Sequence, residues 1–102
     1  MVSSTLLTTA VQTLFQPTGA NGAANVTLVF CNTTATNQTV TVYAVAAAGS
    51  PSATNTILSA VTVPAGETVI FEPKLILGQN ESIRALASAN TSISATVSYL
   101  TL

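Results

Sequence analysis

The chain has 102 residues, the size of one domain with a single core. It is 48% hydrophobic and only 5% charged, against about 25% charged in an average soluble domain, and its net charge is −1. Plentiful Val, Ile and Leu at such low charge exclude a disordered chain, and Thr or Ser interrupts every apolar run before the roughly 18 to 20 residues of a membrane-spanning helix. A surface with so little charge has little repulsion to keep copies apart, so the natural state is expected to be an assembly.

The chain opens on Met1-Val2-Ser3-Ser4-Thr5-Leu6-Leu7, with no basic segment and no uninterrupted apolar core, so no secretory signal peptide is expected and synthesis is expected in a cytoplasm. Residues 1–11 read as an N-terminal arm or edge strand, and residues 12–102 as the domain proper. Leu7, Val11 and Leu14 alternate with threonines, which predicts one or two short strands over residues 3–15. Pro17, Gly19, Asn21 and Gly22 predict a loop.

Residues 25–45 carry the strongest folding signal, and the pattern predicts a β-hairpin. Val26, Leu28 and Phe30 alternate with Thr27, Val29 and Cys31, and Val40, Val42 and Ala44 alternate with Thr39, Thr41, Tyr43 and Val45. The link through Asn32, Thr33, Thr34, Thr36 and Asn37 suits a reversal. One face of this segment should supply core, from Val26, Leu28, Phe30, Val40 and Val42. The other, with Val29 and Tyr43, is uncharged and suits contact with another subunit. Cys31, the single cysteine, has no intrachain disulfide partner and reads as a small buried hydrophobe.

Gly49 and Pro51 make residues 46–52 a loop despite the alanines. A strand is expected over 54–63, with a slip in phase between Ile57 and Leu58 that marks a bulge. Val63-Pro64-Ala65-Gly66 fits a type I turn, and a strand over 67–71 follows. Pro73 predicts an edge or a crossing between sheets, Leu75-Ile76-Leu77 a short strand, and Gly78-Gln79-Asn80-Glu81 a turn. Residues 82–88 suit helix or strand and are assigned to strand by their length between two turns. Ile93, Ala95, Val97 and Tyr99 alternate with Ser92, Ser94, Thr96 and Ser98 in the final strand. These elements predict an all-β fold, a single antiparallel β-sandwich of jelly-roll or Ig-like order with about eight short strands and no significant helix.

The residues that carry chemistry are sparse. The chain has no His, Asp or Trp, so no Ser-His-Asp or Cys-His relay is available. Glu67, Glu72 and Glu81 flank turns near Lys74 or Arg84, where solvated charge explains them better than a glycosidase-like pair. No metal cluster, cofactor motif or basic patch is present, so catalysis, metals, cofactors, nucleic acid and membranes are not expected. The Asn-x-Ser/Thr triplets at Asn25, Asn32, Asn37, Asn80 and Asn90 read as products of composition.

The succession Leu28-Val29-Phe30-Cys31-Asn32, a polar turn and Val40-Thr41-Val42-Tyr43, then Val63-Pro64-Ala65-Gly66-Glu67-Thr68, Leu75-Ile76-Leu77-Gly78 and Ser82-Ile83-Arg84-Ala85, resembles small β-sandwich proteins of tailed-bacteriophage virions. The likeness spans about residues 12–100. Where that family often has Gly-Asp before the Ile-Arg strand, this chain has Gly78-Gln79-Asn80-Glu81. The resemblance implies a non-enzymatic virion structural protein made in the bacterial cytoplasm, most simply a capsid decoration or cement protein. The alternatives are a tail or baseplate component and a glycan- or receptor-binding module. Expected partners are the major capsid protein or tail proteins and copies of itself. Candidate interface residues are Val2, Leu6, Leu7, Val29, Tyr43, Leu100 and Leu102, mostly apolar side chains at chain ends or on the outer faces of strands.

Overall fold

The computed structural model describes residues 2–101, and the side chains of all of these except Ser3, Asn25 and Val26. The described residues form nine strands and one short 3-10 turn: β1 (Val2–Leu6), β2 (Gln12–Phe15), β3 (Ala23–Asn32), β4 (Gln38–Val45), the turn Ala53–Asn55, β5 (Thr56–Val63), β6 (Thr68–Phe71), β7 (Leu75–Leu77), β8 (Ser82–Ala87) and β9 (Ile93–Thr101). They make two antiparallel sheets, the β-sandwich that the alternation predicts. One sheet runs β1-β9-β3-β6, with β7 pairing the other end of β3, and the second runs β2-β8-β4-β5.

This order has a simple generator. β6 and β7 flank the break at Glu72-Pro73-Lys74 and both pair with β3, Leu28–Cys31 with one and Ala23–Asn25 with the other, so together they act as one interrupted edge strand. Proline cannot donate to a ladder, which is why the interruption falls there. Counted so, the first strand pairs the last, the second the next to last, and so on inward to β4 with β5. The chain is one long antiparallel hairpin, with its bend at residues 46–55, rolled into two layers. That is jelly-roll order.

The sequence-predicted hairpin at residues 25–45 is therefore corrected. Both arms are strands, but β3 and β4 lie in different sheets, and the link between them crosses the sandwich. Asn32 explains the crossing. It is 1% exposed. Its Nδ2 donates to the carbonyls of Thr36 (2.7 Å) and Val63 (2.9 Å), while its Oδ1 accepts from the backbone N–H (2.9 Å) and hydroxyl (2.7 Å) of Thr34. A buried amide with its donors and acceptor engaged holds residues 32–36 as an arch.

The core lies between the layers. Leu28 and Phe30 face Val40 and Val42, all four fully buried, and Ile83, Ala85, Ala87, Ile93, Ala95 and Val97 pack with them, together with Leu7, Leu14, Val63 and Leu77. Val26, also expected there, is outside the described side chains. The expected bulge in β5 is present. Val42 pairs Leu58 and Tyr43 pairs Thr56, leaving Ile57 over, and a second irregularity lets Ala60 adopt φ 46 with its N–H on Thr41 Oγ1 at 3.0 Å. The Pro-Ala-Gly turn sits one residue later than expected. Glu67 N–H donates to Pro64 O at 3.0 Å, and Gly66, at φ 67, takes the third position, the type II arrangement that favours glycine. Cys31 is half-buried on the outer face of its sheet and not part of the core.

Candidate functional site

The molecule is a slab of 42 × 26 × 18 Å, so the outer faces of its two sheets are its largest surfaces. They differ in chemistry. Directly paired residues share a face, and the register of the five-stranded sheet aligns them in rows. Leu6, Ser94, Cys31 and Thr68 form one row, Ser4, Thr96, Val29 and Ile70 the next, and Val2, Ser98 and Thr27 a third. Past the bulge between Asn25 and Thr27, Leu100, Ala24 and Ile76 make a fourth.

Among the described residues six large hydrophobic side chains are exposed, of which Val2 (69%), Leu6 (48%), Ile70 (62%), Ile76 (77%) and Leu100 (60%) lie on this face and Val11 lies elsewhere. The five strands contribute no charged residue to it. Glu72 and Lys74 stand only at the edge break. Between the aliphatics lie hydroxyls such as Ser4 and Thr96, hydrogen-bonded to each other at 3.1 Å. This face is suited to displacing water against another macromolecular surface.

The outer face of the four-stranded sheet is polar. Thr13, Arg84, Tyr43 and Thr56 align in one row, beside Thr41 with Leu86 and Thr39 with Thr62. Arg84 Nε donates to Ser82 Oγ at 3.1 Å.

The sequence-predicted interface residues are thus distributed as follows. Val2, Leu6, Val29 and Leu100 converge on the aliphatic face. Tyr43 sits on the opposite side of the slab, because β4 belongs to the other sheet, so Val29 and Tyr43 do not form one surface. Leu7 is wholly buried, its backbone bonded to Ile93 and Thr91 (2.8 and 2.9 Å), and it belongs to the core. Leu102 lies outside the described residues. Ile70 and Ile76 were not singled out by the sequence reading, and they are among the most exposed aliphatics of the face.

A small open groove of about 210 Å³ lies at one end, lined by Phe15, Pro17, Gly22, Tyr99 and Thr101 among others. The rings of Phe15 and Tyr99 stack there at 4.1 Å. The groove lining carries no carboxylate, amine or thiol, and its hydroxyls are those of Thr18, Tyr99 and Thr101. The three glutamates occupy three separate connections. Glu81 receives the Gly78 N–H at 2.5 Å, Glu67 closes the turn before β6, and Glu72 stands in the break between β6 and β7. Of the Asn-x-Ser/Thr asparagines, Asn32, Asn37 and Asn90 use their side-chain oxygens to accept backbone N–H groups of Thr34, Ala65 and Thr9.

No family model and no curated protein matches the sequence. Among solved structures, a chain in the structure of infectious bursal disease virus Gt strain is similar with a TM-score of 0.48 and 16% identity, over 97% of this chain and 29% of that one. A chain in the structure of the Gx strain is similar with a TM-score of 0.45 and 14% identity, over 97% of this chain and 30% of that one. The chain spans less than a third of the length of either neighbour.

Proposed function

We propose that the chain is a non-enzymatic structural component of a virion, a capsid decoration or cement protein of a tailed phage that lays its five-stranded sheet on the shell. The observation that carries this reading is the convergence of Val2, Leu6, Ile70, Ile76 and Leu100 on one uncharged face. Jelly-roll order is an architecture used by viral capsid and lectin domains, but fold alone assigns no function, and the face is what supports the choice.

The magnitudes favour an array over a solitary complex. Burying a Leu or Ile side chain is worth about 1.5–3 kcal/mol, so five partly exposed ones offer on the order of 5–10 kcal/mol. Association costs an estimated 4–15 kcal/mol in lost freedom and ordering. One copy on one partner is then weakly held. Many copies on a lattice, each touching more than one subunit, reach stability by repetition. The chemistry is burial alone, with no covalent step and no cofactor.

Cryo-electron microscopy of the particle that carries the chain tests this. The expected result is copies spread over the icosahedral shell with the Ile70 and Ile76 face toward it. A ring of copies on an axial tube would replace the capsid assignment with the tail or baseplate alternative, and absence from purified particles would end the virion reading.

A further inference from the structure

Among the described residues the sandwich has four open sheet edges, and three carry features that block the addition of another strand. The β6/β7 edge is broken by Glu72-Pro73-Lys74, which combines a proline with both signs of charge. The β5 edge has two irregularities in its pairing and a residue, Ala60, in a left-handed conformation. The β2 edge is four residues long and shifts register between Thr13 and Phe15. Short edges, bulges, proline and charge are the means by which soluble sheets avoid edge-to-edge pairing.

β1 has none of them. It runs five residues in unbroken register against β9, from Val2 opposite Ser98 to Leu6 opposite Ser94, and Val-Ser-Ser-Thr-Leu contains no charge and no proline. Among the described residues no strand pairs with its far side, which presents a row of backbone donors and acceptors. We infer that β1 pairs antiparallel with β1 of a second copy about a two-fold axis through Ser4, joining the two five-stranded sheets into one.

The occupant follows from the strand's own pattern. Antiparallel pairing about Ser4 sets Val2 of each copy opposite Leu6 of the other and Ser4 opposite Ser4, so the sequence is complementary to itself, apolar against apolar and hydroxyl against hydroxyl. With no charge on β1, nothing repels across the axis. The join also makes the two aliphatic faces continuous, because Val2, Ser4 and Leu6 belong to that face. A five-residue ladder is smaller than the roughly 800 Å² per partner of a standard interface, so the equilibrium depends on concentration. The inference does not depend on a virion location.

Sedimentation equilibrium of the full chain tests the association, and engineered cysteines test the register. The expected mass rises from one chain toward two between micromolar and millimolar concentration, and Ser4→Lys, which sets two ammonium groups against each other on an exposed position, abolishes the rise while leaving the thermal melt unchanged. In a Cys31→Ser background, Ser4→Cys is expected to oxidise to a disulfide-linked dimer, since opposed Cα atoms in an antiparallel pair are about 4.5–5.5 Å apart, within disulfide range. Val2→Cys is expected not to, because its counterpart lies four residues along, roughly 13 Å away. Cross-linking of both variants would replace the antiparallel pairing with a parallel one. A monomer throughout the range, or a dimer that persists in Ser4→Lys without cross-linking through Ser4→Cys, would overturn the inference.

Discussion

Asn32 and Val63 belong to different sheets and are tied by one buried hydrogen bond, 2.9 Å from the Asn32 amide to the Val63 carbonyl. The same amide holds Thr36 and Thr34, so a single side chain closes the arch and connects it to the end of β5. Replacement by Leu keeps the volume and leaves the Val63 carbonyl and the Thr34 N–H without their side-chain partner, while the Thr36 carbonyl keeps the Thr34 hydroxyl at 3.0 Å. Unsatisfied buried groups cost about 1–3 kcal/mol each, so Asn32→Leu is expected to lower stability by roughly 2–4 kcal/mol. For a domain of this size that is a fall of about 10–25 °C in the melting temperature, readable by circular dichroism. An unchanged melt would mean that Asn32 only fills space.

Gly22 and Gly66 allow two causes of glycine preference to be separated. Both have positive φ, +71 and +67. A Cβ on Gly66 would meet nothing within 4 Å, whereas one on Gly22 would stand 1.9 Å from the Leu77 carbonyl oxygen. Gly66→Ala should cost the left-handed strain alone, about 1–2 kcal/mol. Gly22→Ala adds a clash with backbone that cannot yield by rotation, and the expected loss is larger by at least about 1 kcal/mol in denaturant melts. Equal losses at the two sites would show that the loop before β3 moves freely away from β7.

Strand existence was legible in the sequence because alternation is a local property. Leu28, Phe30, Val40 and Val42 are expected inward and are inward, and Ile93, Ala95 and Val97 share one buried face, as their alternation predicts. Strand partnership was not legible, because it depends on contacts far apart in the chain. Residues 33–37 carry turn-forming side chains that serve a hairpin or an arch equally well, and the difference lies in Asn32 reaching Val63, 31 residues away. The aliphatic face was half visible for a related reason. Val2, Leu6 and Leu100 stood out at the chain ends, but Thr68-Val69-Ile70-Phe71 and Leu75-Ile76-Leu77 are apolar on both faces, so no phase could be read. The register with β3 turns Ile70 and Ile76 outward and Phe71 and Leu77 inward.

Ile70→Lys and Ile76→Lys test what that face is for. Both side chains are largely exposed, so stability should change by less than about 0.5 kcal/mol. Retention of the protein on purified particles, measured by co-sedimentation, is expected to fall at least tenfold for each, which corresponds to about 1.4 kcal/mol. Arg84→Ala on the opposite sheet serves as the control and should leave retention unchanged. A loss with Arg84→Ala and none with the two isoleucine variants would move the docking surface to the polar face.

The Phe15–Tyr99 stack joins the two sheets at the groove end, since Phe15 is the last residue of β2 and Tyr99 lies in β9. Its rings are 4.1 Å apart and inclined by 28°. Neither ring is wholly buried, so each alone contributes through area, and their mutual contact contributes through stacking geometry. A double-mutant cycle separates these parts. Phe15→Leu and Tyr99→Leu retain apolar volume and remove the stack, and the coupling between them is expected to be about 0.5–1.5 kcal/mol from urea denaturation. A smaller coupling would assign the inter-sheet contact at this end to the hydrogen bonds between loops beside it, where Asn80 N–H donates to Pro17 O at 2.8 Å and Gln79 Nε2 to Thr18 O at 3.0 Å. Those bonds hold the loop over residues 16–19 against the turn over residues 78–81.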